Sequence, residues 1–110
     1  KMANTYKNAQ LNLTTTSRTT LYTCPAATTG LVNTLHISNV DGTDDFSIDV
    51  EVYDSSAATY YYILYQGVVP PGAALNALDK PIVLEASDSI HMTASAVSGL
   101  HTIGSIMEIT

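Results

Sequence analysis

The chain has 110 residues, which is room for one domain built around one hydrophobic core. Ten acidic against four basic residues give a formal charge of −6, and Lys1, Lys7, Arg18 and Lys80 are scattered, which argues against nucleic acid as a partner. Charged residues make up 13%, about half the usual share of roughly 25%, and Thr, Ser, Asn and Ala take their place; such a surface sheds few ions from water when another protein covers it.

The first ten residues are polar and are expected as an extended arm (about 1–10) on a single domain spanning 1–110, ordered by a neighbouring subunit. They hold no apolar signal core, and no apolar run nears the roughly 18 residues of a membrane span, so no membrane partner is expected. Met2 is a candidate natural start, with Lys1 then an addition or a matter of numbering.

Period-two alternation, the mark of strands, begins at Leu11 and Leu13. Residues 19–24 are dense in β-formers and stop at Pro25. Cys24 is the single cysteine, so no internal disulfide forms; a small buried thiol fits assembly in a reducing cytosol. Residues 31–40 alternate again, with Leu31, Leu35 and Ile37 on the inward parity together with Asn33 and Asn39. Asp41-Gly42-Thr43-Asp44-Asp45 has turn chemistry. Ile48, Val50 and Val52 then point inward while Ser47, Asp49, Glu51 and Tyr53 point out. A hairpin joining these two runs through the Asp-Gly turn is predicted.

Residues 59–65 form an aromatic strand. Pro70 and Pro71 break the pairing after it. Residues 73–77 and 81–85 are two short strands around the Leu78-Asp79-Lys80 corner. Ile90, Met92 and Ala94 oppose His91, Thr93 and Ser95. The last strand runs from Leu100 to about Ile109 with a mixed parity: Ile103, Met107 and Ile109 agree, whereas Leu100 and Ile106 do not. A bulge at Gly104 would reconcile them. About eight short strands at 8–12-residue spacing, with no helical period, predict an all-β fold: a single antiparallel β-sandwich, jelly-roll or Ig-like.

Catalytic signals are weak, and no enzyme activity and no cofactor are expected. His36, His91 and His101 lie on three different predicted strands without ligand spacing, so they read as surface or interface imidazoles rather than a zinc site. The Asp41–Asp45 stretch lacks the alternating oxygen ligands and distal glutamate of a calcium loop. Asp49 and Glu51 share one strand face at a separation that invites a glycosidase reading, and are equally the outward positions of an amphipathic strand. There is no Gly-x-Ser-x-Gly elbow, Cys-x-x-Cys or phosphate-cradling glycine loop. Tyr60, Tyr61, Tyr62 and Tyr65 hold more information. Tyrosine combines a large apolar ring with a polar tip, so this strand suits the core, a subunit interface or a glycan-stacking platform.

Several segments resemble small virion structural proteins of tailed phages, especially marine and cyanobacterial ones. They are Met2-Ala3-Asn4-Thr5-Tyr6-Lys7-Asn8-Ala9, residues 20–29, Ile37-Ser38-Asn39-Val40-Asp41-Gly42, Asp79-Lys80-Pro81-Ile82-Val83-Leu84-Glu85 and the closing Ser105-Ile106-Met107-Glu108-Ile109-Thr110. Those proteins often carry Gly where Ser87 precedes Asp88, so Ser87 is expected to strain its turn. The resemblance implies a capsid decoration (cement) protein in the virion, assembled in the host cytoplasm. It also implies a homo-oligomer, expected as a trimer, seated on the major capsid protein. A tail or fibre component binding a host glycan is the alternative. The residues expected to make the contacts are Tyr6, Lys7, Tyr60, Tyr61, Tyr62 and Tyr65.

Overall fold

The computed structural model describes residues 3–110, and each regular element among them is a strand. The nine are β1 (Asn4–Asn12), β2 (Thr19–Thr23), β3 (Thr29–Asn39), β4 (Phe46–Asp54), β5 (Thr59–Val69), β6 (Ala74–Asn76), β7 (Ile82–Leu84), β8 (Ser89–Ala94) and β9 (Leu100–Ile109). One sheet has the order β1-β9-β3, with β6 and β7 both pairing the far edge of β3; the other has the order β2-β8-β4-β5. Pairing is antiparallel throughout, and the sheets form the expected sandwich.

The core lies between the sheets. Leu35 and Ile37 from β3, Ile48 and Val50 from β4, Ile90 and Met92 from β8, and Leu100 and Ile106 from β9 are essentially inaccessible. Each such side chain contributes about 1.5–3 kcal/mol relative to its exposed state.

Three local expectations are corrected. The hairpin between residues 31–40 and the following run does not form: β3 belongs to the five-stranded sheet and β4 to the other. The connection crosses the sandwich instead, and Asn39 secures the crossing. Its Nδ2 donates to the carbonyls of Asp44 at 2.9 Å and Val69 at 2.8 Å, while its Oδ1 accepts the Asp41 N–H at 2.8 Å. Asp41 still makes a turn, accepting the N–H groups of Thr43 and Asp44.

The bulge expected at Gly104 lies on the partner strand instead. β9 runs in unbroken register with β1, while β3 shifts against it between Val32 and Thr34, leaving Asn33 as the extra residue. Val32 rather than Leu31 therefore joins the core, and on β9 the buried set is Leu100, Thr102, Gly104, Ile106 and Glu108. Ile103, Met107 and Ile109 face outward. Gly104 serves close packing: a Cβ there would sit 3.2 Å from Leu35 and 3.3 Å from Leu21, which reaches in from the opposite sheet.

From Asn4 onward, the stretch expected as an arm is strand β1, paired along its length with β9. Lys1 and Met2 lie outside the described residues. Ser87 takes the strained conformation anticipated for it, with φ of 73°.

Candidate interaction surfaces

The outer face of the four-stranded sheet carries a connected aromatic and polar cluster. Register sets Thr20, His91, Glu51 and Tyr62 in one row across β2, β8, β4 and β5, with Ser89, Tyr53 and Tyr60 beside it. Tyr53 and Tyr60 pack with ring centroids 4.7 Å apart, and Tyr60 meets His91 at 5.2 Å. Tyr62 and Tyr65 form an edge-to-face pair at 4.8 Å.

Arg18, just before β2, closes over this cluster. Its Nε and Nη2 donate to the two carboxylate oxygens of Glu51 at 3.0 and 3.1 Å, and its guanidinium lies 3.7 Å from the Tyr60 centroid. Glu51, expected to point into solvent, is 4% exposed beneath it. The His91 ring nitrogens meet the hydroxyls of Thr20 at 3.2 Å and Ser89 at 2.7 Å. Burial first, then the Arg18 charge, holds the His91 pKa below its ordinary value, with Glu51 opposing.

Tyr61, Tyr62 and Tyr65 are each more than half exposed and Tyr60 is 37% exposed, so the tyrosine strand does not fill the core. Tyr61 pairs with Val52 and so points to the opposite face of β5 from Tyr60 and Tyr62, at the rim of the sandwich. β5 is bulged twice against β4; Gln66 there has φ of 52°, and its N–H donates to Asp49 Oδ1 at 2.7 Å. Asp49 and Glu51 are thus each held in structural bonds. An open hollow of about 170 Å3 beside Asp49 does not include Glu51.

The outer face of the five-stranded sheet differs in kind. It is formed by the even-numbered residues of β1, the odd-numbered residues of β9, Leu31, Thr34, His36 and Ser38 of β3, and Val83 of β7. None of these is Asp, Glu, Lys or Arg. Tyr6, 80% exposed, lies here opposite Met107, with exposed Val83 and Ile103 on the same face. Lys7 lies on the opposite face of β1, half exposed at the edge of the sandwich, where its Nζ is 3.6 Å from buried Glu108. Tyr22 donates its hydroxyl to the same carboxylate. Burial, reinforced by Glu108, raises the Tyr22 pKa, and burial likewise raises that of the Cys24 thiol.

The three histidines do not converge. His36 and His101 are outward residues of the five-stranded sheet, and His91 belongs to the other; among the described residues no three His, Cys, Asp or Glu side chains are grouped to hold a metal ion. Sequence reasoning missed Arg18 and His91 as members of the tyrosine cluster. Residues 18, 51, 60 and 91 meet through strand order alone, which no local spacing encodes.

No family model matches the chain, and no curated protein matches it by sequence. The fold, by contrast, has many solved counterparts. A chain from the acid-stable capsid of Helicobacter pylori bacteriophage KHP30 is similar over 100% of this chain and 92% of its own, with a TM-score of 0.58 at 9% identity. A chain of infectious bursal disease virus, Gx strain, matches 99% of this chain over 32% of its own length, with a TM-score of 0.56 at 9% identity. The Drosophila NLP core, described for pentamer formation and histone binding, matches 93% of this chain and 96% of its own, with a TM-score of 0.56 at 14% identity. These likenesses are of fold.

Proposed function

We propose that the protein is a structural component of a tailed-phage virion: a decoration or cement protein that sits as a homo-oligomer on the major capsid protein. The observation that carries this reading is the five-stranded sheet's outer face, on which no strand residue is Asp, Glu, Lys or Arg. Covering it desolvates no ion, and its Asn, Gln, Ser and Thr groups can exchange water for bonds to a protein partner. A footprint near 800 Å2 per partner, a standard interface, would fit on such a face. Repeated around a shell, many modest contacts of this kind resist internal pressure. The whole-length fold likeness to a phage capsid chain supports the same reading.

Cryo-EM of particles containing this chain tests it. Density on the outside of the head, with the five-stranded sheet turned toward the shell, is expected. Density confined to the tail would overturn the decoration role, and absence from purified particles would overturn the virion role altogether.

The exposed tyrosines favour one second reading, a tail or fibre component that adheres to a host glycan. Tyr62 and Tyr65 present rings on which a sugar face could stack beside Asp49. Glycan-array binding that is lost in Tyr62→Ala would establish it; an array without signal would remove it.

A further inference from the structure

Among the described residues, only one sheet edge of the sandwich is long and regular. The β2 edge is short and bulged, the β5 edge is bulged twice, and the far edge of β3 is capped by two three-residue strands separated by Pro81. These are common ways of blocking further pairing. β1 has none of them: nine residues, unbroken register, no proline and no bulge.

Its hydrogen-bonding phase is fixed. Ala3 and Thr110 exchange both backbone bonds, at 3.1 and 3.0 Å, and the Leu13 N–H donates to Leu100 at 3.0 Å. In an antiparallel ladder such pairs alternate, so the odd residues of β1 spend their backbone groups on β9. The even residues, Asn4, Tyr6, Asn8, Gln10 and Asn12, aim their N–H and C=O groups away from the sheet. Their side chains are uncharged and lie on the uncharged outer face.

We propose that this edge binds a second copy of the same chain, β1 against β1 antiparallel, with Asn8 facing Asn8 across a two-fold axis. The register follows from two conditions. Centring on residue 8 pairs all nine residues and gives about ten backbone bonds, two at each facing pair. Centring on residue 7 would set Lys7 against Lys7, whereas centring on residue 8 sets Lys7 against Ala9 and Tyr6 against Gln10. Like charges directly opposite are unfavourable, so the longest overlap is also one that moves the two Lys7 side chains from a facing to a diagonal position. The product is one sheet running through both sandwiches, with the two uncharged faces side by side. It is a two-fold pair where the resemblance led to a trimer. The inference rests on the edge geometry and not on the virion reading, and it is tested on the protein alone.

Sedimentation across a concentration series, together with two variants, decides it. The wild-type chain is expected to pass from monomer to dimer. Asn8→Pro removes only an outward donor, leaves the β9 pairing intact and is expected to weaken the dimer more than about tenfold, with unchanged circular dichroism. Asn8→Cys is expected to cross-link on oxidation, because facing bonded residues have Cα atoms about 5.5 Å apart, within disulfide range. Gln10→Cys, displaced from its own copy, is expected not to. A chain that stays monomeric, one that associates only with capsid protein, an oligomer that survives Asn8→Pro, or equal cross-linking of the two cysteine variants would each overturn the proposal.

Discussion

Arg18 holds Glu51 through two hydrogen bonds, at 3.0 and 3.1 Å, while stacking on Tyr60. The pair is asymmetric: the Glu51 side chain is 5% exposed and that of Arg18 is 44% exposed. The arginine therefore acts as a lid that makes a buried carboxylate tolerable. Arg18→Ala leaves that carboxylate without its cation and exposes the Tyr60 ring. A fully buried broken pair costs about 3–5 kcal/mol; with Arg18 half in solvent, a loss of about 1–2 kcal/mol is expected in denaturant unfolding. Arg18→Lys should recover only part of this, since an ammonium cannot make the two parallel bonds.

His91 sits in the same cluster with its pKa lowered. The unfolded chain, with an ordinary imidazole near 6.5, then binds the proton more readily than the folded one. The stability tied to neutral His91 is fully present above about pH 6.5 and falls as the pH drops toward the lower folded pKa. The melting temperature should decline between pH 7.5 and pH 5, and His91→Gln should flatten that decline. An equal slope in the variant would assign the effect to other groups.

The sandwich was legible in the sequence because burial of one strand face imposes period-two alternation, most plainly at Ile48 and Val50. Strand partnership was not legible. The Asp41-Gly42 turn looks like a hairpin turn, but a loop of six residues between Asn39 and Phe46 is long enough to cross the core. The mixed parity read into β9 came from apolar residues on both faces of a strand that alternates without a break, Leu100 and Ile106 facing the core and Ile103, Met107 and Ile109 the outer face; the bulge belongs to β3, a strand some seventy residues earlier in the chain. The tyrosine strand was legible as unusual and ambiguous as to place. Only its edge position and its two bulges explain why the rings are exposed.

Asn39 replaces the missing hairpin with side-chain bonds. It is 3% exposed, and its amide serves two carbonyls and one N–H. Asn39→Ala orphans the buried Val69 carbonyl and gives the part-buried Asp44 carbonyl and Asp41 N–H back to water, and a loss of about 1–3 kcal/mol is expected. Asn39→Asp should be no better, because a carboxylate oxygen would face the carbonyls of Asp44 and Val69. Chemical denaturation of both variants checks this, with retention of wild-type stability in either as the contrary result.

Ser87 occupies the left-handed region between Glu85 and Asp88, and its N–H donates to the Cys24 carbonyl at 2.9 Å. A non-glycine residue there carries a cost of about 1–2 kcal/mol. Glycine removes that cost but adds freedom to the unfolded chain. Ser87→Gly should therefore raise stability by about 0.5–1 kcal/mol, whereas Ser87→Val should lower it.

Thr102 stands in the middle of the inner face of β9, flanked by Leu11 on β1 and Ile37 on β3. It is 0% exposed, and its Oγ1 has no hydrogen-bond partner among the described residues. A hydroxyl desolvated without compensation costs about 1–3 kcal/mol, while its methyl group packs as any apolar group would. Valine keeps the shape, the β-branching and the strand preference, and removes only the orphaned oxygen. Thr102→Val should stabilise the fold by about 1 kcal/mol, a rise of about 4 °C in Tm for a chain of this size. Thr102→Ser, which keeps the oxygen and deletes the methyl, should lose stability by a comparable amount. A fall in Tm for the valine variant would mean that the hydroxyl is satisfied within the core, for instance by a bridging water between the sheets.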